Sequence, residues 1–372
     1  MNRRDFIKRL LRGIEAGTVY SLLPSSVSAT TRNAAKEGRM IKESAGDLVL
    51  RDIAKQKLHH GNGKFLNPFS SSIHGRLSRV LYWKLFSENH FRKYYKGEKV
   101  KPVHINWRPI QKDRGLSITF LKHASILIKD IDEYLIVDPV FYDLFWLIKD
   151  FTPLAFNIDA MPRPNHVLIT HGHYDHLDKP SLAYLGKDTH VISPLGYDDV
   201  FSELEMRQRT PLDWFDSYSN NGQEITLIPC NHWTMRNPII GPNTSLWGSY
   251  LIKTESGFTV FVSGDTAYFD RFREIGKDQK IDLAIFNLGA YEPRWFMATS
   301  HINPKETVQA FKELRAKHLM VIHWGTFRLG DEPVHFPPIQ IKEELKKEGL
   351  LDRLIDLNHG ETLYYSDYIK QI

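Results

Sequence analysis

The densest chemistry in the chain lies in six residues, His171-Gly172-His173-Tyr174-Asp175-His176, directly behind the apolar run Val167-Leu168-Ile169-Thr170. Imidazole nitrogens and carboxylate oxygens suit a divalent ion, zinc ahead of iron or manganese. In an extended segment residues two apart face the same side, so His171 and His173 can chelate one ion. The turn that follows offers Asp175 and His176 to a second position, and Gly172 lets the backbone come close. A solitary histidine in a loop more often hydrogen-bonds a neighbour. Three imidazoles and a carboxylate in so short a stretch call for metal.

This tetrad cannot fill two sites, and three later residues stand where partners should emerge from sheet edges. His232 follows the run Ile225 to Pro229, Asp265 follows Val260 to Ser263, and His323 follows Leu319 to Ile322. The single cysteine, Cys230, excludes an intramolecular disulfide and a thiolate cluster.

Elements must hold these residues in place. Short apolar runs at Ser117 to Leu121, Ser125 to Ile128, Tyr134 to Val137, Val167 to Thr170 and His190 to Ser193 read as strands. So do Ile225 to Pro229, Ser249 to Lys253, Thr259 to Ser263, Leu283 to Leu288 and Leu319 to Ile322. Helices fit Pro304 to Lys317, with Asn303 as N-cap, and Ile339 to Lys347. Strands that end in histidine- or aspartate-bearing loops predict an α/β fold of two sheets sandwiched between helices, with the ligands at one edge.

The chain has 372 residues, 42% hydrophobic and 25% charged, enough for a sizeable core. Its formal charge is +5, of which residues 1–29 carry +3. The +2 that remains is too little for a nucleic-acid footprint. The opening Met-Asn-Arg-Arg-Asp-Phe-Ile-Lys resembles a twin-arginine export signal, so residues 1–29 are expected to direct the protein to the periplasm, with cleavage after Ala29. Residues 30–60 read as a flexible tether, 61–113 as an N-terminal helical arm and 114–372 as the catalytic domain. Within the arm, His74 to Lys96 has a basic amphipathic pattern suited to peripheral membrane contact. No run reaches the ~20 apolar residues of a spanning helix. The sequence carries no signal for an oligomeric state.

The order His-x-His-x-Asp-His, then His, Asp and His, resembles the metallo-β-lactamase superfamily. Within it, the chain from about Phe65 onward resembles the N-acyl phosphatidylethanolamine-hydrolysing phospholipase D family. The stretches that carry this likeness are Lys122-His123-Ala124-Ser125, Val137-Asp138-Pro139, Asn231-His232-Trp233, Leu246-Trp247-Gly248-Ser249, Ser263-Gly264-Asp265-Thr266, Gly289 to Met297, and Ile322 to Phe327.

The resemblance implies the αββα metallo-β-lactamase fold and two zinc ions, other divalent metals suiting the same donors. It assigns His171, His173 and His232 to one ion and Asp175, His176 and His323 to the other, with Asp265 bridging both and essential to catalysis. Asp138 would orient a ligand imidazole from behind. His301 matches a position near the substrate phosphate; capping the helix that Pro304 opens is its other reading. The implied reaction is hydrolysis of N-acyl phosphatidylethanolamine to N-acylethanolamine and phosphatidic acid. A zinc lactonase or other small-ester hydrolase could use the same ions, although the Gly289 to Met297 segment argues against it. A non-catalytic lipid-binding protein on the same scaffold is the alternative of another class. The apolar segment Phe141 to Phe151 departs from the more polar and basic family pattern. It reads as a lipid-facing lid or a short buried helix, and leaves acyl-chain and headgroup preference open.

Overall fold

Two seven-stranded sheets pack face to face in the computed structural model, which describes residues 40–70, 77–144, 148–237 and 239–370. In the first sheet, β1 (Ser117–Lys122), β2 (Ser125–Asp130) and β3 (Glu133–Val137) form an antiparallel meander. β4 (His166–Leu168), β5 (His190–Pro194) and β6 (Arg209–Leu212) continue it in parallel. The second sheet repeats the plan. β7 (Ser217–Asn220), β8 (Gln223–Ile228), β9 (Ser249–Lys253) and β10 (Thr259–Val262) are antiparallel. β11 (Leu283–Asn287), β12 (His318–Ile322) and β13 (Leu354–Ile355) then run parallel to β10. The last strand, β14 (Thr362–Tyr364), returns to close the first sheet against β1.

Side-chain alternation divides the core. Ile126, Ile128, Leu135, Val137, Leu168 and Ile192 face the second sheet, whereas Leu127, Ile136, Val167, Ile169 and Val191 face outward. That outer face is covered by helices Trp107–Lys112, Lys179–Leu185 and Asp198–Glu203. Helices Phe272–Asp278, Pro304–Leu314 and Phe336–Lys347 pack into the core from the second sheet's side. Strands buried on both faces are apolar without a break, so they read from sequence as continuous runs.

Several expectations need correction. The tether expected over residues 30–60 contains the helix Leu50–Lys55, whose Leu50, Ile53 and Ala54 join the inter-sheet core. Six residues are too few to give a periodic signal. The basic helix expected from His74 to Lys96 runs only over Leu77–Phe86 among the described residues, followed by a 3₁₀ turn at Arg92–Tyr94. Asn89 ends it by accepting the amide of Phe91 on its own side chain, a local bond that competes with the helix. The helix from Pro304 stops at Leu314, where Arg315 turns into the left-handed region at φ +54°. Within 141–151, the described residues form no helix; Phe141 is buried and Asp150 bridges to Phe327. The expected export signal, residues 71–76 and residues 145–147 lie outside the described residues.

Candidate metal centre

Parallel strands bring their C-terminal ends to one rim, and the ligand-type residues leave the sheets there. His171 to His176 follow β4, His232 follows β8, Asp265 follows β10 and His323 follows β12. The turn between β1 and β2 adds His123, and Asp138 follows β3. Both are held in the left-handed region, at φ +52° and +41°.

Two groups result. His171, His173, His232 and Asp265 present ligand atoms within 4.8 Å of one another, as do His123, Asp175, His176 and His323. In the first, His173 Nδ1 lies 2.9 Å from His171 Nε2 and 3.4 Å from His232 Nε2. In the second, His176 Nε2 and His323 Nε2 are 3.2 Å apart, and Asp175 Oδ2 is 3.4 and 3.3 Å from them. Asp265 faces both groups. It is 3.2 Å from His176 and 3.3 Å from His323, and 3.9 and 4.0 Å from His171 and His232. Ligand atoms ~2.0–2.1 Å from a tetrahedral ion lie about 3.3 Å apart, so this spacing fits a divalent ion in each group.

Electrostatics make the same point. Asp138, Asp175 and Asp265 are gathered in a buried space where, among the described residues, no lysine or arginine forms an ion pair with any of them. Burial alone would lower the pKa of His176. Yet Asp265, Asp175 and Asp138 together hold it well above its ordinary value. Burial alone would raise Asp265, but His176 and His323 keep it well below the usual carboxylate range. Burial depresses His171 strongly, helped by His176 and His173, and lowers His173 to about 4. The neutral imidazoles of His171 and His173, beside these carboxylates, leave lone pairs and negative charge for cations.

A supporting layer fixes each ring. Asp138 Oδ2 accepts from His176 Nδ1 at 2.7 Å, directing Nε2 into the centre, and is itself held by Thr170 through both amide and hydroxyl. His232 Nδ1 donates to the Ser300 carbonyl at 2.9 Å. Gly172 has no side chain because a Cβ would come within 2.8 Å of the Tyr197 ring. Gly289 lies so close to the His323 carbonyl that a Cβ would sit 2.3 Å from its oxygen.

His301 stands at the rim, its Nδ1 3.8 Å from Asp265 Oδ2, and burial lowers its pKa to about 4. It does not cap the helix behind it. Asn303 does, in a reciprocal capping box with Glu306. Arg294 links the two features, donating to the His301 carbonyl at 2.9 Å while binding both carboxylate oxygens of Glu306. Cys230 is buried, and burial pushes its thiol up, so it is no thiolate.

The structure therefore brings all seven expected ligands, Asp138 and His301 to one rim. The sequence assigns His123 no role beyond its place in the stretch Lys122 to Ser125. Its Nε2 lies 3.1 Å from Asp175 Oδ2 and its ring 4.0 Å from that of His323. The available signal was position, because His123 also ends an apolar strand.

Comparison with known proteins agrees with this geometry. Residues 134–324 match the beta-lactamase superfamily domain. The Caenorhabditis elegans protein named N-acyl-phosphatidylethanolamine-hydrolyzing phospholipase D 1 is 32% identical over 289 residues, 72% of this chain and 81% of that protein. The mitochondrial N-acyl-phosphatidylethanolamine-hydrolyzing phospholipase D of Saccharomyces cerevisiae is 32% identical over 245 residues, and this chain spans 51% of its length. Among solved structures, the metallo hydrolase Igni18 of Ignicoccus hospitalis superposes with a TM-score of 0.52 at 17% identity, covering 67% of this chain and 97% of its own.

Proposed function

Because the chain belongs to the N-acyl-phosphatidylethanolamine-hydrolysing phospholipase D family of metal-dependent hydrolases, we propose that it cleaves N-acyl phosphatidylethanolamine at the phosphodiester, giving N-acylethanolamine and phosphatidic acid. The observation that carries this reading is the complete imidazole and carboxylate centre, in a chain 32% identical to a relative that bears that name. Zinc suits the donors. His171, His173 and His232 would hold one ion, Asp175, His176 and His323 the other, with Asp265 facing both. When bound, two such ions supply water activation near neutral pH and neutralise charge developing on phosphoryl oxygens.

The chain's own residues do the rest. Asp138 and the Ser300 carbonyl lock His176 and His232 with Nε2 inward. His301 faces the same space, where its ring N–H can donate to an oxygen of the phosphate or of the leaving group. Arg294 and Glu306 hold its backbone in place.

Access to a lipid supports a membrane-facing rim. Tyr82, Phe86 and Trp295 are exposed, with Tyr82 5.9 Å from Phe86 and 5.7 Å from Trp295. Trp295 lies in the short helix Arg294–Met297, six residues before His301. Such a patch, with Arg79 beside it, suits shallow insertion into a lipid surface. No described helix is long and apolar enough to cross a membrane. In this reading residues 1–29 export the protein, and periplasmic membrane lipid is the accessible substrate. A tagged protein whose location ignored replacement of both Arg3 and Arg4 by Lys would overturn export.

The enzymatic test uses purified protein, metal analysis and three substrates: N-acyl phosphatidylethanolamine, phosphatidylethanolamine and a lactone. Two metals per chain and release of N-acylethanolamine are expected, both lost on chelation. Lactone cleavage alone would keep the metal centre and discard the phospholipase reading.

A further inference from the structure

The segment Gly289 to Glu292 leads from β11 into the helix Arg294–Met297, and it is fastened at both ends. Gly289 abuts the His323 carbonyl, and Ala290 is held in the left-handed region at φ +54°. A residue with a side chain stays in that region only where its surroundings impose it. At the far end the carboxylate of Glu332 accepts the Tyr291 amide on Oε1 at 3.2 Å and the Glu292 amide on Oε2 at 3.0 Å. The Asp331 amide donates in return to the Glu292 carbonyl at 2.8 Å.

Glu332 is 5% exposed, and among the described residues no lysine, arginine or histidine forms an ion pair with it. Arg328, four residues earlier, is engaged by Glu98 instead. Burial pushes the Glu332 carboxyl up to about 7, against the pull of the amides it accepts. An acid buried without a cation is costly, and such positions concentrate at functional sites. What the two amides hold is the base of a relay to His301. Glu292 Oε2 accepts the Arg294 amide at 3.0 Å. The Arg294 guanidinium donates from one nitrogen to the Tyr291 carbonyl at 3.2 Å and to the His301 carbonyl at 2.9 Å, while its other terminal nitrogen binds Glu306.

We propose that Glu332 is a positioning residue for His301: it fixes the Tyr291 and Glu292 backbone, that backbone sets the origin and grip of Arg294, and Arg294 sets where the His301 ring meets the substrate. The proposal rests on the reading of His301 as a donor to a substrate oxygen. Glu332 acts only through the backbone it holds, so its removal displaces the donor and leaves the ligand groups intact. A donor moved by a fraction of its hydrogen-bond length loses rate without losing substrate.

The test is a double-mutant cycle on full-length, zinc-loaded protein, with N-acyl phosphatidylethanolamine and a lactone as substrates. Glu332→Gln sets a side-chain NH₂ against one of the two backbone amides. It should lower kcat by about 10-fold, with KM and metal content at wild-type levels. In a His301→Ala background the same substitution should cost less than about 2-fold. Arg294→Lys, at a side chain 25% exposed, should show the same coupling to His301 and decides the matter if Glu332→Gln folds poorly. Asp213→Asn, which also removes a buried carboxylate, should leave kcat unchanged in both backgrounds. The assignment is overturned if Glu332→Gln leaves kcat unchanged or strips metal, or if its effect or that of Arg294→Lys is as large without the His301 imidazole as with it. Failure of the underlying readings looks different. A His301→Ala protein as fast as wild type would remove the donor itself and the proposal with it, whereas cleavage of the lactone alone would discard the phospholipase reading and let the cycle decide the role of Glu332 on that substrate.

Discussion

Two places in the molecule set buried aspartate against histidines, and they solve the charge differently. Asp213 accepts from His59 Nε2 at 2.6 Å, His60 Nε2 at 2.8 Å and Lys57 Nζ at 2.5 Å. Burial alone would raise its pKa, but those hydrogen bonds hold it well below the usual carboxylate range. His59 stacks on Trp214 with ring centroids 4.1 Å apart. Asp265 has imidazoles and the Asn287 amide around it and, among the described residues, no ion pair with a lysine or arginine. The residue types are nearly the same. What separates a metal centre from an internal ion pair is whether the protein has already provided the cation.

Four substitutions test that contrast, in falling order of expected effect. Asp265→Asn should lower hydrolysis by about 10³-fold or more, since it removes the carboxylate that faces both ligand groups. Metal analysis of the same variant should show loss of bound ions. His301→Ala should lower turnover by about 10²-fold, the scale of a positioned proton donor. Its metal content should stay at the wild-type level, and a parallel loss of metal would reassign His301 to the ligand set. Asp138→Asn should weaken metal affinity or activity by about 10- to 100-fold, measured by competition with a chromophoric chelator.

Asp213→Asn should leave metal content and turnover unchanged but lower stability by roughly 1.5–3 kcal/mol in urea unfolding at neutral pH. The sign follows from linkage. A carboxyl whose folded pKa lies below its unfolded value of ~3.9 contributes in full above that value. The contribution fades as pH falls through the folded pKa, so variant and wild type should converge only in strong acid. A persistent gap at acid pH would mean that packing, not charge, is what Asp213 provides.

Much of the site was legible because chain order and spatial order coincide. One loop supplies His171, His173, Asp175 and His176, and the other three ligands each end an apolar strand, where alternation and burial leave a readable run. His123 was harder. A single histidine after Lys122 carries no pattern, and its part depends on a left-handed turn that sequence does not announce. Strands were legible where most of their side chains are buried, as in β2 and β11, and illegible where few are. β7, Ser-Tyr-Ser-Asn, is polar, and its exposed and half-buried residues give no apolar signal. Leu50 to Lys55 failed for another reason: its role depends on contacts with Glu274 and the distant core, which local sequence cannot specify.

The return of β14 to the edge of β1 has a consequence for how the protein is made. The first sheet cannot be finished until the last strand has been synthesised, although its other members lie between Ser117 and Leu212. The same delay governs the centre. His123, Asp138 and the loop after β4 come from the first sheet, but His232, Asp265 and His323 come from the second. A nascent chain that has emerged only through β6 therefore holds part of each ligand group, and neither group is complete until the two sheets close on each other. The centre is therefore whole only in a chain whose two sheets have both formed.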